Sequence, residues 1–252
     1  MNLKVLVTGA SGLVGSRFIE LYKNKYTFIT PEYPAFDMTD KKQVADILNT
    51  EKPDVVVNFA AYTDVGEAEN QRDNKDGDCW RINVEGVKNL VEAVSSNTHF
   101  IHISTDMVFP GSKDDPGPYT EDHKPETDSN KVTWYGFSKA EGERVVGEKG
   151  TILRIIYPVR AKYDLKTDYL RKPLSLYDEG KLYPMFTDQQ VSIAFVDEVA
   201  GAIDKIIDSN AKGIFQVSSG DIGTPFELVS YLIEKARGKA DTVLPTKLTD
   251  FL

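Results

Sequence analysis

Tyr135 and Lys139 stand four residues apart in Trp134-Tyr135-Gly136-Phe137-Ser138-Lys139. In a helix that spacing puts both side chains on one face. A phenol titrates near about pH 10, so it exchanges a proton poorly at neutral pH unless a neighbouring cation stabilises the phenolate. The pair therefore reads as a proton donor, Tyr135, tuned by an ammonium, Lys139. Thr105 ends the apolar run from Phe100 and is placed to hydrogen-bond a substrate carbonyl, while Asp106 beside it adjusts the local charge. A Tyr and a Lys at this spacing also occur by coincidence. What gives the pair weight is what the chain places ahead of it.

Val5-Leu6-Val7-Thr8-Gly9-Ala10-Ser11-Gly12-Leu13-Val14-Gly15 starts as a short apolar run and turns glycine-rich. From Ser16 onward the apolar residues recur three and four apart, so the stretch predicts strand, tight turn and helix. Gly9 and Gly12 let the backbone turn sharply and let a diphosphate approach the amides, and Gly15 lets the helix lie against the strand. The N–H groups at the start of such a helix favour an anion. The pattern is that of a dinucleotide-binding turn.

The elements that must carry these residues follow in order. Residues 26–30 read as a second strand whose end faces the adenosine ribose in a dinucleotide fold. An acidic residue there favours NAD and a basic one NADP; Thr30 is neither, so the preference stays open. Residues 41–48 predict a helix capped by Asp40, 54–61 a nearly continuous apolar strand, 83–94 a helix and 100–105 a strand. A helix over 134–146 and a strand over 151–157 complete the series. Strands alternating with helices predict an α/β fold, a Rossmann-type doubly wound parallel sheet. Ligands of such sheets sit at the C-terminal ends of the strands, which adds Ala60 and Ala61 to Thr105 and Asp106 as candidates.

The expected organisation is a dinucleotide-binding domain over 1–157 and a smaller substrate-binding lobe over 158–252, with segments of the latter returning to the first domain. Residues 158–190 lack a period. A helix over 197–207, a strand over 213–217 and a helix over 225–236 follow. Residues 64–78 read as loop or exposed helix, and 110–130 as a long loop that is either a lid or a surface insertion.

With 40% hydrophobic and 27% charged residues among 252, the composition is that of an ordinary globular chain able to bury a core. A net charge of −9 argues against nucleic acid or an anionic membrane as partner. The single cysteine, Cys79, fits a reducing compartment. The immediate entry into a strand leaves no room for a secretion signal, and no apolar run is long enough to span a bilayer. The expected location is the cytoplasm. His99, His102 and His123 have no metal-ligand spacing, so no metal is expected.

Thr8-Gly9-Ala10-Ser11-Gly12-Leu13-Val14-Gly15, Asn58-Phe59-Ala60-Ala61, Ser104-Thr105-Asp106-Met107-Val108-Phe109 and Tyr135-Gly136-Phe137-Ser138-Lys139, in that order, resemble the extended short-chain dehydrogenase/reductases. Within them the chain is most similar to the dTDP-4-dehydrorhamnose reductase group, with Phe36-Asp37-Met38-Thr39-Asp40 and Asp188-Gln189-Gln190 in support. The resemblance implies a cofactor, NADP(H) or NAD(H). Gly9, Ser11, Gly12, Leu13, Val14 and Gly15 would hold its diphosphate, Asp37 and Met38 its adenine, and Ala60, Ala61 and Tyr62 its inner half. Tyr135 would protonate the reduced carbonyl oxygen. Lys139 would bind the nicotinamide ribose and lower the Tyr135 pKa, while Thr105, Asp106 and Tyr157 would contact a nucleotide-linked 4-keto-6-deoxy sugar. A homodimer is left open. Two other readings accompany this one: a nucleotide-sugar epimerase or dehydratase, and a non-catalytic NADP-binding subunit like the regulatory subunit of methionine adenosyltransferase. Departures from the group's pattern, at Ile155-Ile156-Tyr157-Pro158 after Arg154 and at Ser192-Ile193-Ala194, fall on the substrate side.

Overall fold

The turn after the first strand fixes where the sheet can open. The computed structural model describes residues 2–250. β1 (Lys4–Thr8) enters a turn in which Gly9 takes φ +65°, and α1 (Leu13–Tyr22) starts from Gly12. A Cβ on Gly9 would lie 2.7 Å from Ala60 N, and one on Gly15 2.5 Å from Gly9 O. Both contacts are with main chain that cannot move aside, so the turn closes only with glycine at these positions.

β2 (Thr27–Ile29), α2 (Lys41–Glu51) and β3 (Val55–Asn58) follow. Asp40 caps α2, its carboxylate accepting from Lys42 N at 2.9 Å and Gln43 N at 3.1 Å. Beyond β3 come α3 (Val65–Glu69), α4 (Asp78–Trp80), a π-helical segment Arg81–Gly86 and α5 (Val87–Ala93). The helix expected to start at 83 thus begins at Asp78. The wider π turns interrupt the 3.6-residue spacing, so the period becomes legible only beyond them. β4 (His99–Thr105), a 3₁₀ turn (Asp106–Val108), α6 (Trp134–Val146) and β5 (Thr151–Ile155) continue the alternation.

The remaining elements are β6 (Pro158–Val159), α7 (Arg171–Asp178), β7 (Met185–Phe186), β8 (Ala194–Phe195), α8 (Val196–Ser209), β9 (Gly213–Val217), α9 (Pro225–Arg237) and β10 (Pro245–Thr246). The stretch read as lacking a period contains α7. With eight residues and Pro173 in its first turn, this helix is too short for its period to stand out from the irregular sequence around it.

Six strands form one parallel sheet in the order β2-β1-β3-β4-β5-β9. The expected doubly wound α/β sheet is the fold observed. Its central strands are buried along their length, as in Val5-Leu6-Val7 and Val55-Val56-Val57. From β1 the chain steps outward to β2, then crosses back to β3 on the other side of β1. That reversal makes the carboxyl ends of β1 and β3 the topological switch point of the sheet, where a crevice opens.

The chain divides into two compact units. One runs to Ile155 and takes back Asp197–Val217, so α8 from Asp197 onward and β9 belong with the sheet. The other comprises Ile156–Val196 and the chain from Ser218, and its core gathers Met185, Val229, Ile233 and Val243. Two short parallel pairs, β6 with β8 and β7 with β10, lie in this unit.

Candidate active site

Two caps fix the start of α6 and with it the position of Tyr135. Thr133 Oγ1 accepts from Gly136 N at 3.0 Å, and Trp134 N donates to Glu69 Oε1 at 2.6 Å. Glu69 is held in turn by Arg72, whose guanidinium donates to Ser129 O and Val132 O at 2.6 and 3.1 Å. Gly136 lies so close to the 3₁₀ turn that a Cβ there would overlap Met107 O. The first turn of α6 is therefore pressed onto the segment that carries Asp106.

Thr105 sits at the C-terminal end of β4, and its hydroxyl caps the 3₁₀ turn by accepting from Met107 N at 3.2 Å. It donates to Asp106 Oδ1 at 3.1 Å and is within hydrogen-bond reach of the Tyr135 phenol. Burial raises the Asp106 carboxyl to about 6, against hydrogen bonds from Thr105 and the backbone that favour its charge. Tyr135, buried itself and facing Asp106, is pushed well above the ordinary phenol value. Desolvation and the neighbouring Asp106 carboxylate therefore keep the phenol protonated.

Lys139 is 2% exposed, and its amine donates to Ile103 O at 2.8 Å. Burial lowers it to about 8, opposed by the charges of Glu143 and Cys79. Its second polar neighbour is His102 Nε2 at 3.2 Å. One turn further along α6, Glu143 pairs with Arg154 at the end of β5. Arg154 lies 4.9 Å above the Phe109 ring, which stacks on Tyr119 at 4.2 Å. Gln216 of β9 donates to Tyr119 O at 2.8 Å, so the 110–130 loop is strapped to the sheet through Tyr119.

The switch-point turn fits a dinucleotide diphosphate. Gly12 opens α1 with no side-chain cap, and no acidic residue stands in the first turn, so the positive end of the helix dipole meets no competing side-chain charge. Gly9 and Gly15 are where a Cβ would fill the cradle.

A family model described as the RmlD substrate binding domain matches residues 3–252. The chain belongs to that family. Among the relatives of this RmlD-family chain, the dTDP-4-dehydrorhamnose reductase of Sinorhizobium fredii is 30% identical over 230 residues, 90% of this chain and 72% of that protein. The dTDP-4-dehydrorhamnose reductase of Aggregatibacter actinomycetemcomitans is 37% identical over 158 residues, and the match spans half of that protein's length. A crystal structure of the Bacillus anthracis dTDP-4-dehydrorhamnose reductase in complex with NADP superimposes with a TM-score of 0.86 at 28% identity. It covers 100% of this chain and 86% of that one.

In this RmlD-family chain the expected residues are brought together unevenly. Gly9, Ser11, Gly12, Leu13, Val14 and Gly15 line the turn and first residues of α1, and Ala60, Ala61 and Tyr62 follow β3 at the same end of the sheet. Asp37 spends one carboxylate oxygen on Thr39 N and Oγ1, both at 2.8 Å, and Met38 is buried in the core with Leu6 and Val87. The Met38 side chain is therefore a packing group. Tyr157 belongs to the second unit, where it takes φ +36° and stacks on Tyr169 at 3.9 Å. Sequence reasoning missed Asn83. From the π-helical segment it binds both main-chain groups of Tyr62 and donates to Ser138 Oγ at 2.9 Å, tying the β3 end to α6. Its only sequence signal is an amide in an otherwise apolar helix face. Among the described residues no group of three or more His, Cys, Asp or Glu could hold a metal, and no helix is long and apolar enough to cross a membrane.

Proposed function

We propose that this chain is an NAD(P)H-dependent reductase of the short-chain dehydrogenase/reductase superfamily that acts on a nucleotide-linked 4-keto-6-deoxy sugar, with dTDP-4-dehydrorhamnose as substrate. The observation that carries the reading is the grouping of Thr105, Asp106 and Tyr135 at the end of β4, with Lys139 one turn along the same helix. The names of the relatives support the substrate class, and the NADP of the Bacillus anthracis structure supports the cofactor.

The bound cofactor would supply hydride to the carbonyl carbon; the rest of the chemistry belongs to the chain. The α1 turn holds the diphosphate. When substrate binds, Thr105 turns its one hydroxyl proton from Asp106 to the carbonyl oxygen and orients that oxygen toward Tyr135. Tyr135 then delivers its proton to that oxygen as negative charge develops. The raised pKa suits this direction, because it keeps the donor loaded at neutral pH while the alkoxide formed is a far stronger base than a phenolate. Lys139, one turn along α6, would hold the nicotinamide ribose through its amine.

The test is oxidation of NADPH and of NADH with dTDP-4-dehydro-6-deoxy-L-mannose, alongside cofactor titration. Stoichiometric oxidation that needs the sugar is the expected result. Conversion of a nucleotide sugar without net oxidation would overturn the reductase reading in favour of epimerisation or dehydration. Cofactor binding with no turnover of any keto sugar would overturn it in favour of a non-catalytic subunit.

A further inference from the structure

The stretch of chain that leads into Tyr135 is held at three points by two residues of one distant turn, Glu69 and Arg72. Arg72 donates from Nη1 to Ser129 O at 2.6 Å and from Nη2 to Val132 O at 3.1 Å. Glu69 Oε1 accepts from Trp134 N at 2.6 Å. The pair is also closed on itself, since Arg72 places Nε 2.9 Å and Nη2 2.8 Å from Glu69 Oε2. One carboxylate oxygen therefore faces the start of α6 and the other faces the guanidinium that grips the end of the 110–130 loop and the residues after it.

Main-chain N–H groups in the first turn of a helix have no partner within it. In α6, Thr133 serves Gly136 N with its hydroxyl and Phe137 N with its carbonyl, and Trp134 N goes to Glu69. On the other side of Tyr135, a Cβ on Gly136 would overlap Met107 O. Tyr135 is thus bracketed: the residue before it is tied to Glu69, and the residue after it rests on the 3₁₀ turn. A carboxylate suits the first contact, because its charge strengthens the hydrogen bond and faces the positive end of the helix dipole. The same turn of chain reaches the cofactor side. Gln71 Nε2 donates to the Tyr62 hydroxyl at 3.0 Å, and Gln71 Oε1 accepts from Cys79 N at 2.9 Å.

We propose that Glu69 is a positioning residue for the proton transfer: its carboxylate, braced by Arg72, sets where α6 starts and so where the Tyr135 hydroxyl stands relative to the carbonyl it protonates. The proposal rests on the reductase reading above. A purely structural role is the weaker account of the pair. Its side chains are 38% and 31% exposed, and an ion pair this open to water adds little to overall stability. A proton donor is far less forgiving, because a displacement of about 1 Å at a reacting group costs about 10²-fold in rate. What the position demands is an acceptor oxygen at this reach, more than a negative charge.

The experiment compares Glu69→Ala, Glu69→Gln and Glu69→Asp with the wild type by kcat, KM and circular dichroism. The chain has two tryptophans, Trp80 and Trp134, whose rings stack with centroids 5.5 Å apart. Their exciton couplet reports the start of α6 with neither substrate nor cofactor present. Glu69→Ala should weaken the couplet and lower kcat by about 10²-fold, with KM and cofactor affinity little changed. Glu69→Gln keeps an oxygen at the same reach and should recover most of both signals. Glu69→Asp keeps the charge one carbon short and should behave like Glu69→Ala. Wild-type kcat in Glu69→Ala overturns the proposal, whether or not the couplet changes. So does recovery by Asp and not by Gln, which would make the charge the agent, and so does a rise in KM that matches the fall in kcat. A wild type that oxidises no cofactor removes the reductase reading instead. The couplet is read on the protein alone, and an unchanged couplet in Glu69→Ala overturns the hold on α6 by itself.

Discussion

Arg154 and Glu143 face each other in a bidentate ion pair, Nε to Oε1 at 3.0 Å and Nη2 to Oε2 at 2.7 Å, with side chains 0% and 3% exposed. Burying two charges costs several kcal/mol, and only the paired, hydrogen-bonded geometry offsets it. Glu143→Ala strands the guanidinium and should destabilise by about 3–5 kcal/mol, read from urea unfolding. Arg154→Met with Glu143→Leu removes both charges and should cost much less than the single variant. An equal loss in the two would mean that packing, not the unpaired charge, sets the cost. Arg154 also lies over Phe109 and donates to His123 O at 3.4 Å, so Glu143→Ala should raise hydrogen exchange in the 110–130 loop.

Asp106 gives the site a pH signature. Its folded carboxyl is raised to about 6 from an ordinary value of 3.8. The folded protein then holds the proton more tightly than the unfolded chain, so the favourable contribution is complete below about pH 4 and fades as pH rises toward 6. Above that the buried carboxylate is a net cost, of order 3 kcal/mol at most for this shift. Asp106→Asn should therefore raise Tm at pH 8 and leave it nearly unchanged at pH 4; an equal gain at both would remove titration as the cause. Because the Asp106 charge also raises Tyr135, the variant should bring the phenol down, visible by ultraviolet titration.

The α/β order was legible because central strands of a parallel sheet are apolar throughout and the helices between them keep their period. Asp40, Thr105, Tyr135 and Lys139 were legible as local signals: a cap before a helix, a hydroxyl after a strand, a pair four apart. The buried row of Thr8, Asn58 and His102, hydrogen-bonded side by side across β1, β3 and β4, was not. Each is a polar residue beside apolar strand neighbours, 50 and 44 positions apart along the chain, and only strand register joins them. The sign of the Tyr135 shift was hidden for a related reason, since spacing reveals a lysine on the same face but not how much water the fold removes.

Thr30 follows β2 and is exposed, and it is uncharged at the strand end where a dinucleotide fold meets the adenosine ribose. The wild type should discriminate weakly between NADH and NADPH. Thr30→Asp should favour NADH and Thr30→Arg NADPH, each by roughly tenfold or more in kcat/KM, the scale of one charge-assisted hydrogen bond. Unchanged ratios in both variants would move the preference elsewhere in the turn.

Gly136 couples the proton donor to the loop that holds Thr105 and Asp106. A Cβ at this position would overlap Met107 O, which is main chain and has no rotamer to change. Gly136→Ala must push the first turn of α6 away from the 3₁₀ turn, and Tyr135 is the residue just before it. The helix itself loses nothing, because alanine is the better helix former by about 1 kcal/mol. Turnover should therefore fall at least as far as in Tyr135→Phe, about 10²–10⁴-fold for a lost general acid. Cofactor binding at the distant α1 turn should persist. Gly142→Ala is the control: its Cβ would meet Asn83 O at 2.5 Å, two turns away from the phenol. It should cost stability more than turnover, and the reverse ranking of the two variants would show that the close approach at Gly136 does not place Tyr135.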